Sequence, residues 1–289
     1  MSENFPTANF QYKDSLFRDY FNDRHRLLSL CNALLDTNYS DANEVEINTL
    51  NGNFFSALKN DISFKIGDQF LILVEHQSTV NNNMPLRCLS YVTELFNNLV
   101  GEKNRLYRKA AVRLPAPQFF VFYDGRYPEP LKRQMRLSDA FRGSNSALEL
   151  VVTSFNINAG INQPLLQKCG YLNDYSTLID KVRKSCAEGL TRREAIIQAI
   201  NWCIAHDVMK KYLVIRKNEV FTMLDLQWNL DDAKAAWQDE AREHGRAEGE
   251  NKLGALISIL LNLGKTQEIQ EASTNPSRRQ ELYQLYGIE

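Results

Sequence analysis

In NDISFKIGDQFLILVEHQ, residues 60–77, apolar Ile62, Phe64 and Ile66 alternate with Asp61, Ser63 and Lys65. This period of two belongs to a strand with one face buried. Gly67-Asp68 interrupts it, and the apolar run Phe70 to Val74 follows, so the stretch predicts a β-hairpin. A two-residue turn would set Ile66 against Gln69. A three-residue loop, Gly67 to Gln69, instead pairs Ile66 with Phe70, Phe64 with Ile72 and Ile62 with Val74, stacking apolar on apolar along one face. The same register sets Asp61 opposite Glu75 on the other face.

Outward from the hairpin the period becomes helical. Apolar residues from Leu16 to Leu35 predict one helix over Asp14 to Leu35, with Asp14 as its N-cap, and a strand-like segment lies near Glu44 to Leu50. Met84 to Val100 predicts a second helix, capped by Asn83 with Pro85 in its first turn. Its buried stripe is Leu86, Leu89, Val92, Leu95, Phe96 and Leu99. Strands follow at Gln118 to Tyr123, closed by Asp124-Gly125, and at Leu148 to Ile157. Strands separated by a long helix imply an α/β fold with a mixed β-sheet flanked by helices. Beyond Asn162 only helical patterns remain, near Tyr175 to Ala187, Thr191 to His206 and Asp207 to Lys217. A charged segment, Asp231 to Lys252, is interrupted by Gly245 and Gly249, and an apolar helix, Leu253 to Leu263, comes next. The expected organisation is an α/β core over 1–162, a helical region over 163–230 and a charged helical tail over 231–289.

Composition narrows the function. The chain has 289 residues, 44% hydrophobic and 24% charged, the balance of a globular protein. Its longest apolar run falls far short of the roughly 20 residues that span a bilayer, and its first residues, MSENFPTANFQYKDS, do not read as a signal peptide. The five cysteines are widely spaced without a CxxC pair, which points to a reducing cytoplasm rather than disulfides or a cysteine zinc site. Net charge is −1, so nucleic-acid binding would need local basic clusters. Two exist, Arg105/Arg108/Lys109/Arg113 and Lys132/Arg133/Arg136, and each alone reads as a solvated face. No P-loop, GxSxG elbow or histidine pair at ligand spacing is present.

Two facing carboxylates are costly unless positive charge lies between them. A divalent metal answers this: Mg²⁺ accepts one or two carboxylates, keeps several waters and binds phosphate oxygens. Asp61 and Glu75 are thus the candidate ligands, with the backbone carbonyl of His76 as a third. Glu75 and Gln77 emerge on one face, and alternation sends the His76 side chain to the other. Arg87 can meet a phosphate or pair with a site carboxylate, and Tyr91 reads as packing with a hydrogen-bonded hydroxyl.

KNDISFKIGDQFLILVEHQST (59–79), followed by NMPLRCLSY (83–91), resembles the recombination-promoting nuclease and transposase-like (Rpn-like) family of the PD-(D/E)xK nuclease superfamily. KDSLFRDYF, YSTLIDKVRK and EHGRAEGEN extend the resemblance over nearly the whole chain. It implies that Asp61 and Glu75 hold Mg²⁺ (or Mn²⁺), that Gln77 positions the attacking water, and that Asp14, Arg87 and Tyr91 support the site. The implied activity is endonucleolytic hydrolysis of DNA phosphodiesters that promotes recombination or serves transposition. Gln77 departs from the superfamily's usual lysine; it can orient a water but supplies no charge and cannot act as a base. The alternative is a nuclease-fold protein with little or no catalysis that binds DNA or protein. The tail, whose apolar helix needs cover, suggests a homodimer.

Overall fold

The computed structural model describes residues 16–53, 56–143 and 146–288. Its centre is a six-stranded mixed sheet in the order β1-β4-β5-β6-β8-β7. The strands are β1 (Val45–Ile47), β4 (Ile62–Ile66), β5 (Phe70–Gln77), β6 (Ala116–Tyr123), β7 (Lys132–Arg136) and β8 (Val151–Asn156). Two short strands, β2 (Asn51–Asn53) and β3 (Ser56–Lys59), pair separately. β5, β6 and β8 run parallel, and the other neighbours in the large sheet are antiparallel. The β4–β5 hairpin has the register expected from hydrophobic pairing: Ile62 with Val74, Phe64 with Ile72, and Ile66 with Phe70. Gly67 opens the turn at φ 49°, a left-handed conformation that glycine adopts without strain, and Gln69 N–H donates to the Ile66 carbonyl.

The helix α3 (Met84–Val100) makes the crossover from β5 to β6. It packs Met84, Cys88, Val92 and Leu95 on Leu71, Leu73, Val121 and Val152 of one sheet face. Asn83 occupies the cap position but its side chain makes no capping hydrogen bond. Leu86, expected in the buried stripe, is 53% exposed, because Met84, Cys88 and Tyr91 take the sheet-facing positions.

The opposite face carries Ile62, Phe64, Ile66, Ile72, Val74, Phe120 and Phe122. Against it pack α1 (Leu16–Phe21), α2 (Arg24–Leu35) and α5 (Gly170–Ala187), within a core shared by α4 (Gln163–Lys168), α6 (Arg192–Ala205) and the start of α7 (Lys210–Asn262). The single helix expected over Asp14 to Leu35 is thus two helices. The chain breaks at Asn22-Asp23, where the Asp23 carboxylate accepts from Arg26 N–H and starts α2. Asp14 and its capping role lie outside the described residues. β7 was not expected: the segment read as a basic cluster is an edge strand with Met135 alone fully buried.

The chain divides into two compact units, Met1–Trp228 and Asn229–Glu289. In the second, Leu256 and Leu260 of α7 pack with Ala272 of α8 (Thr266–Thr274) and Leu282 of α9 (Pro276–Leu285). The backbone stays helical through Gly245 and Gly249 despite a cost of about 1 kcal/mol each. Among the described residues, no helix is long and apolar enough to cross a membrane, and all five cysteines are free.

Candidate functional site

The site forms where the hairpin ladder ends. Asp61 precedes β4 and Glu75 sits near the end of β5, and each carboxylate accepts a backbone N–H from the other's strand end. Asp61 N–H donates to Glu75 Oε1 at 3.1 Å, and His76 N–H donates to Asp61 Oδ2 at 2.8 Å. The carboxylates therefore satisfy backbone groups that the finished ladder would leave bare. Glu75 is only 3% exposed, whereas Asp61 is half-buried and borders a pocket of about 250 Å³ lined also by Arg18, Asp19, Asn22 and Thr49.

α3 delivers the positive charge. Arg87 Nη2 meets Glu75 Oε2 at 2.8 Å, and its Nε and Nη2 both donate to the Tyr91 hydroxyl one turn further along. Arg87 thus faces the site, and Tyr91 is buried with its hydroxyl bonded. Gln77 follows on the same face, where its amide N–H donates to the Met84 sulfur at 3.0 Å. The Glu75 carboxyl is pushed up to about 8, first by burial and then by neighbouring Asp61, with Arg87 pulling the other way. One guanidinium therefore leaves room for further positive charge at this pair.

His76 points through the sheet, as alternation requires. Its Nε2 lies 3.1 Å from Asp124 Oδ2 and 3.1 Å from the Tyr175 hydroxyl, and its ring stacks on Phe17 at 4.9 Å. Asp124 follows β6 and is 4% exposed. Burial alone would raise its carboxyl, but His76 and Arg183 hold it below the ordinary carboxylate range. Arg183 of α5 donates to the Asp124 backbone carbonyl and to Asn158 Oδ1. Gly125 is required beside it, since a Cβ would lie 2.1 Å from the Ser78 carbonyl oxygen. This network was not read from the sequence, where Asp124-Gly125 looks like a turn and Arg183 lies 59 residues away. The signal available was position: His76, Asp124 and Asn158 all lie at or just beyond the C-terminal ends of parallel strands, the edge where open α/β sheets gather functional groups.

Asp61 and Glu75 fit a hard divalent cation in donor type, because both offer carboxylate oxygens and Glu75 favours added positive charge. The His76 N–H and C=O leave the strand on the same side, toward Asp61, so its carbonyl is a suitable third oxygen. Among the described residues no group of three or more His, Cys, Asp or Glu side chains could hold a metal, so water would complete the shell.

The fold and site together define an α/β protein with a six-stranded mixed sheet and a two-carboxylate cluster at the end of its central hairpin. No family model, curated protein or solved structure matches the chain.

Proposed function

We propose that this protein is a metal-dependent endonuclease of the PD-(D/E)xK type, hydrolysing DNA phosphodiester bonds with Mg²⁺ or Mn²⁺ held by Asp61, Glu75 and the His76 carbonyl. The observation that carries the reading is the Asp61–Glu75 pair, joined through backbone hydrogen bonds and biased toward cations. When bound, the cation would lower the pKa of water and offset charge on the scissile phosphate. The chain's own groups do the rest. His76 N–H fixes Asp61, Asp61 N–H fixes Glu75, and Tyr91 aims Arg87 across the site, where its exposed side can meet a phosphate oxygen. Gln77 orients the water that adds to phosphorus as the bond to the leaving sugar oxygen breaks; the water's proton passes to solvent and the leaving oxygen takes one up. Recombination and transposition are the settings this activity would serve.

The ion pair of Arg87 with Glu75, together with the bond of Gln77 to Met84, favours a second reading: a nuclease-fold protein that binds DNA or protein and does not cut. Nicking of supercoiled plasmid by the full chain with Mg²⁺, Mn²⁺ or EDTA separates the two. Activity that needs metal and falls at least about 100-fold in both Asp61→Asn and Glu75→Gln supports the nuclease. Absence of nicking, or equal nicking by the variants, overturns the nuclease reading and leaves the binding protein. Strand joining on paired-end substrates would assign transposase chemistry.

A further inference from the structure

The two basic clusters differ in how their charge is used. On β7 the cations are engaged: Arg133 with Asn82 at 2.7 Å and Glu129 at 3.9 Å, Arg136 with Glu149 at 3.7 Å, and Lys132 over the Phe155 ring. The cluster after α3 meets no acidic group among the described residues. Between Glu102 and Asp124 the sequence has no acidic residue. Among the described residues, Arg105, Arg108, Lys109 and Arg113 have no carboxylate partner, and all four are exposed. Arg105 is turned back to cap the helix, donating to the Val100 carbonyl at 3.0 Å and pinning the segment to the end of α3. Between these cations Tyr107 is 89% exposed and Leu106 58% exposed. Solvated aromatic surface is unfavourable, and unneutralised cations repel one another; a partner bringing phosphates and flat apolar rings relieves both.

We propose that the strap 105–113 is a docking surface for single-stranded nucleic acid, its cations on successive phosphates and an unpaired base stacked on Tyr107. The combination of a basic track and a free aromatic ring is what recognises single strands, because duplex bases are already stacked. α3 links this surface to the carboxylate site: Arg87 near its start and Val100 at its end are about 20 Å apart along the axis. The inference rests on the DNA reading above and specifies the form of the substrate.

The test is fluorescence anisotropy of a labelled 20-nucleotide oligo(dT) and of a 20-base-pair duplex with the full chain in EDTA, between 50 and 200 mM salt. The variants are Tyr107→Ala and the triple Arg108→Gln/Lys109→Gln/Arg113→Gln, all at exposed positions. The wild type should hold the single strand more tightly than the duplex, and Tyr107→Ala should weaken it about tenfold. The triple variant should reduce the slope of log K against log salt by about 2. No oligonucleotide binding by the wild type, unchanged slope and affinity in the variants, or tighter duplex binding indifferent to Tyr107 each overturn the proposal. So does binding to phosphatidylserine vesicles without oligonucleotide binding. Strap-dependent oligonucleotide binding without metal-dependent plasmid nicking leaves the proposal standing and sinks the nuclease reading. Nicking with strap variants that bind normally does the reverse.

Discussion

Two carboxylates at the ends of neighbouring strands, Glu75 and Asp124, are equally hidden from water, yet opposite faces of the sheet treat them differently. Glu75 shares its surroundings with Asp61 and has one guanidinium, so its ionised form is disfavoured. Asp124 has His76 on one oxygen and Arg183 against its backbone and side chain, so its ionised form is favoured. Burial penalises both alike; the neighbours decide the outcome. One carboxylate is a structural anchor, and the other is left short of positive charge. β5 joins them physically, because the residue whose side chain holds Asp124 has the backbone N–H that holds Asp61.

The largest effect should come from breaking the anchor. Asp124→Ala leaves His76 and Arg183 without their buried counter-charge and should cost about 3–5 kcal/mol in urea unfolding. Asp124→Asn, which keeps the shape, should cost clearly less. A similar loss for Glu75→Ala would erase the contrast between the faces.

pH should sharpen it next. Glu75 binds its proton more tightly folded than unfolded, so stability falls as pH rises from about 4.5 to about 8 and levels off above. The loss is on the order of 5 kcal/mol. Asp124 has the opposite sign: its contribution is complete above its ordinary pKa of 3.8 and disappears as pH falls through the lower folded value. Thermal unfolding from pH 5 to 9 should therefore show a downward slope that Glu75→Gln abolishes and that millimolar Mg²⁺ flattens. A slope unchanged in Glu75→Gln would refute this account. The smallest effect is Tyr175→Phe, which removes one hydroxyl from His76 and should cost about 1 kcal/mol. Faster amide hydrogen exchange at His76 in that variant would show that the two faces are coupled through β5; unchanged exchange would show them independent.

Much of the carboxylate face was legible in sequence. A register slip of one residue would turn Ile62, Phe64 and Ile66 to the wrong face, so hydrophobic pairing alone sets Asp61 against Glu75. The sequence puts Arg87 in the first turn of the helix after β5, free to meet a phosphate or a site carboxylate; the fold pairs it with Glu75. The break at Asn22-Asp23 was hidden because the apolar spacing continues across it, and β7 because an edge strand with one buried side chain shows no alternation. Leu86 fits a helical stripe on paper, yet which stripe faces the sheet depends on the whole helix packing at once.

Local periodicity by itself determined the hairpin, its register, the facing pair Asp61 and Glu75, and the direction of the His76 side chain, since each follows from contacts between residues close in the chain. Only the tertiary structure decided how those groups are charged. Glu75 is raised because α3 and the sheet bury it, and Asp124 is lowered because α5 brings Arg183 to a strand end far away in sequence. Burial and long-range partners set a carboxylate's preference for proton, cation or ion pair, and neither is visible until the chain has folded.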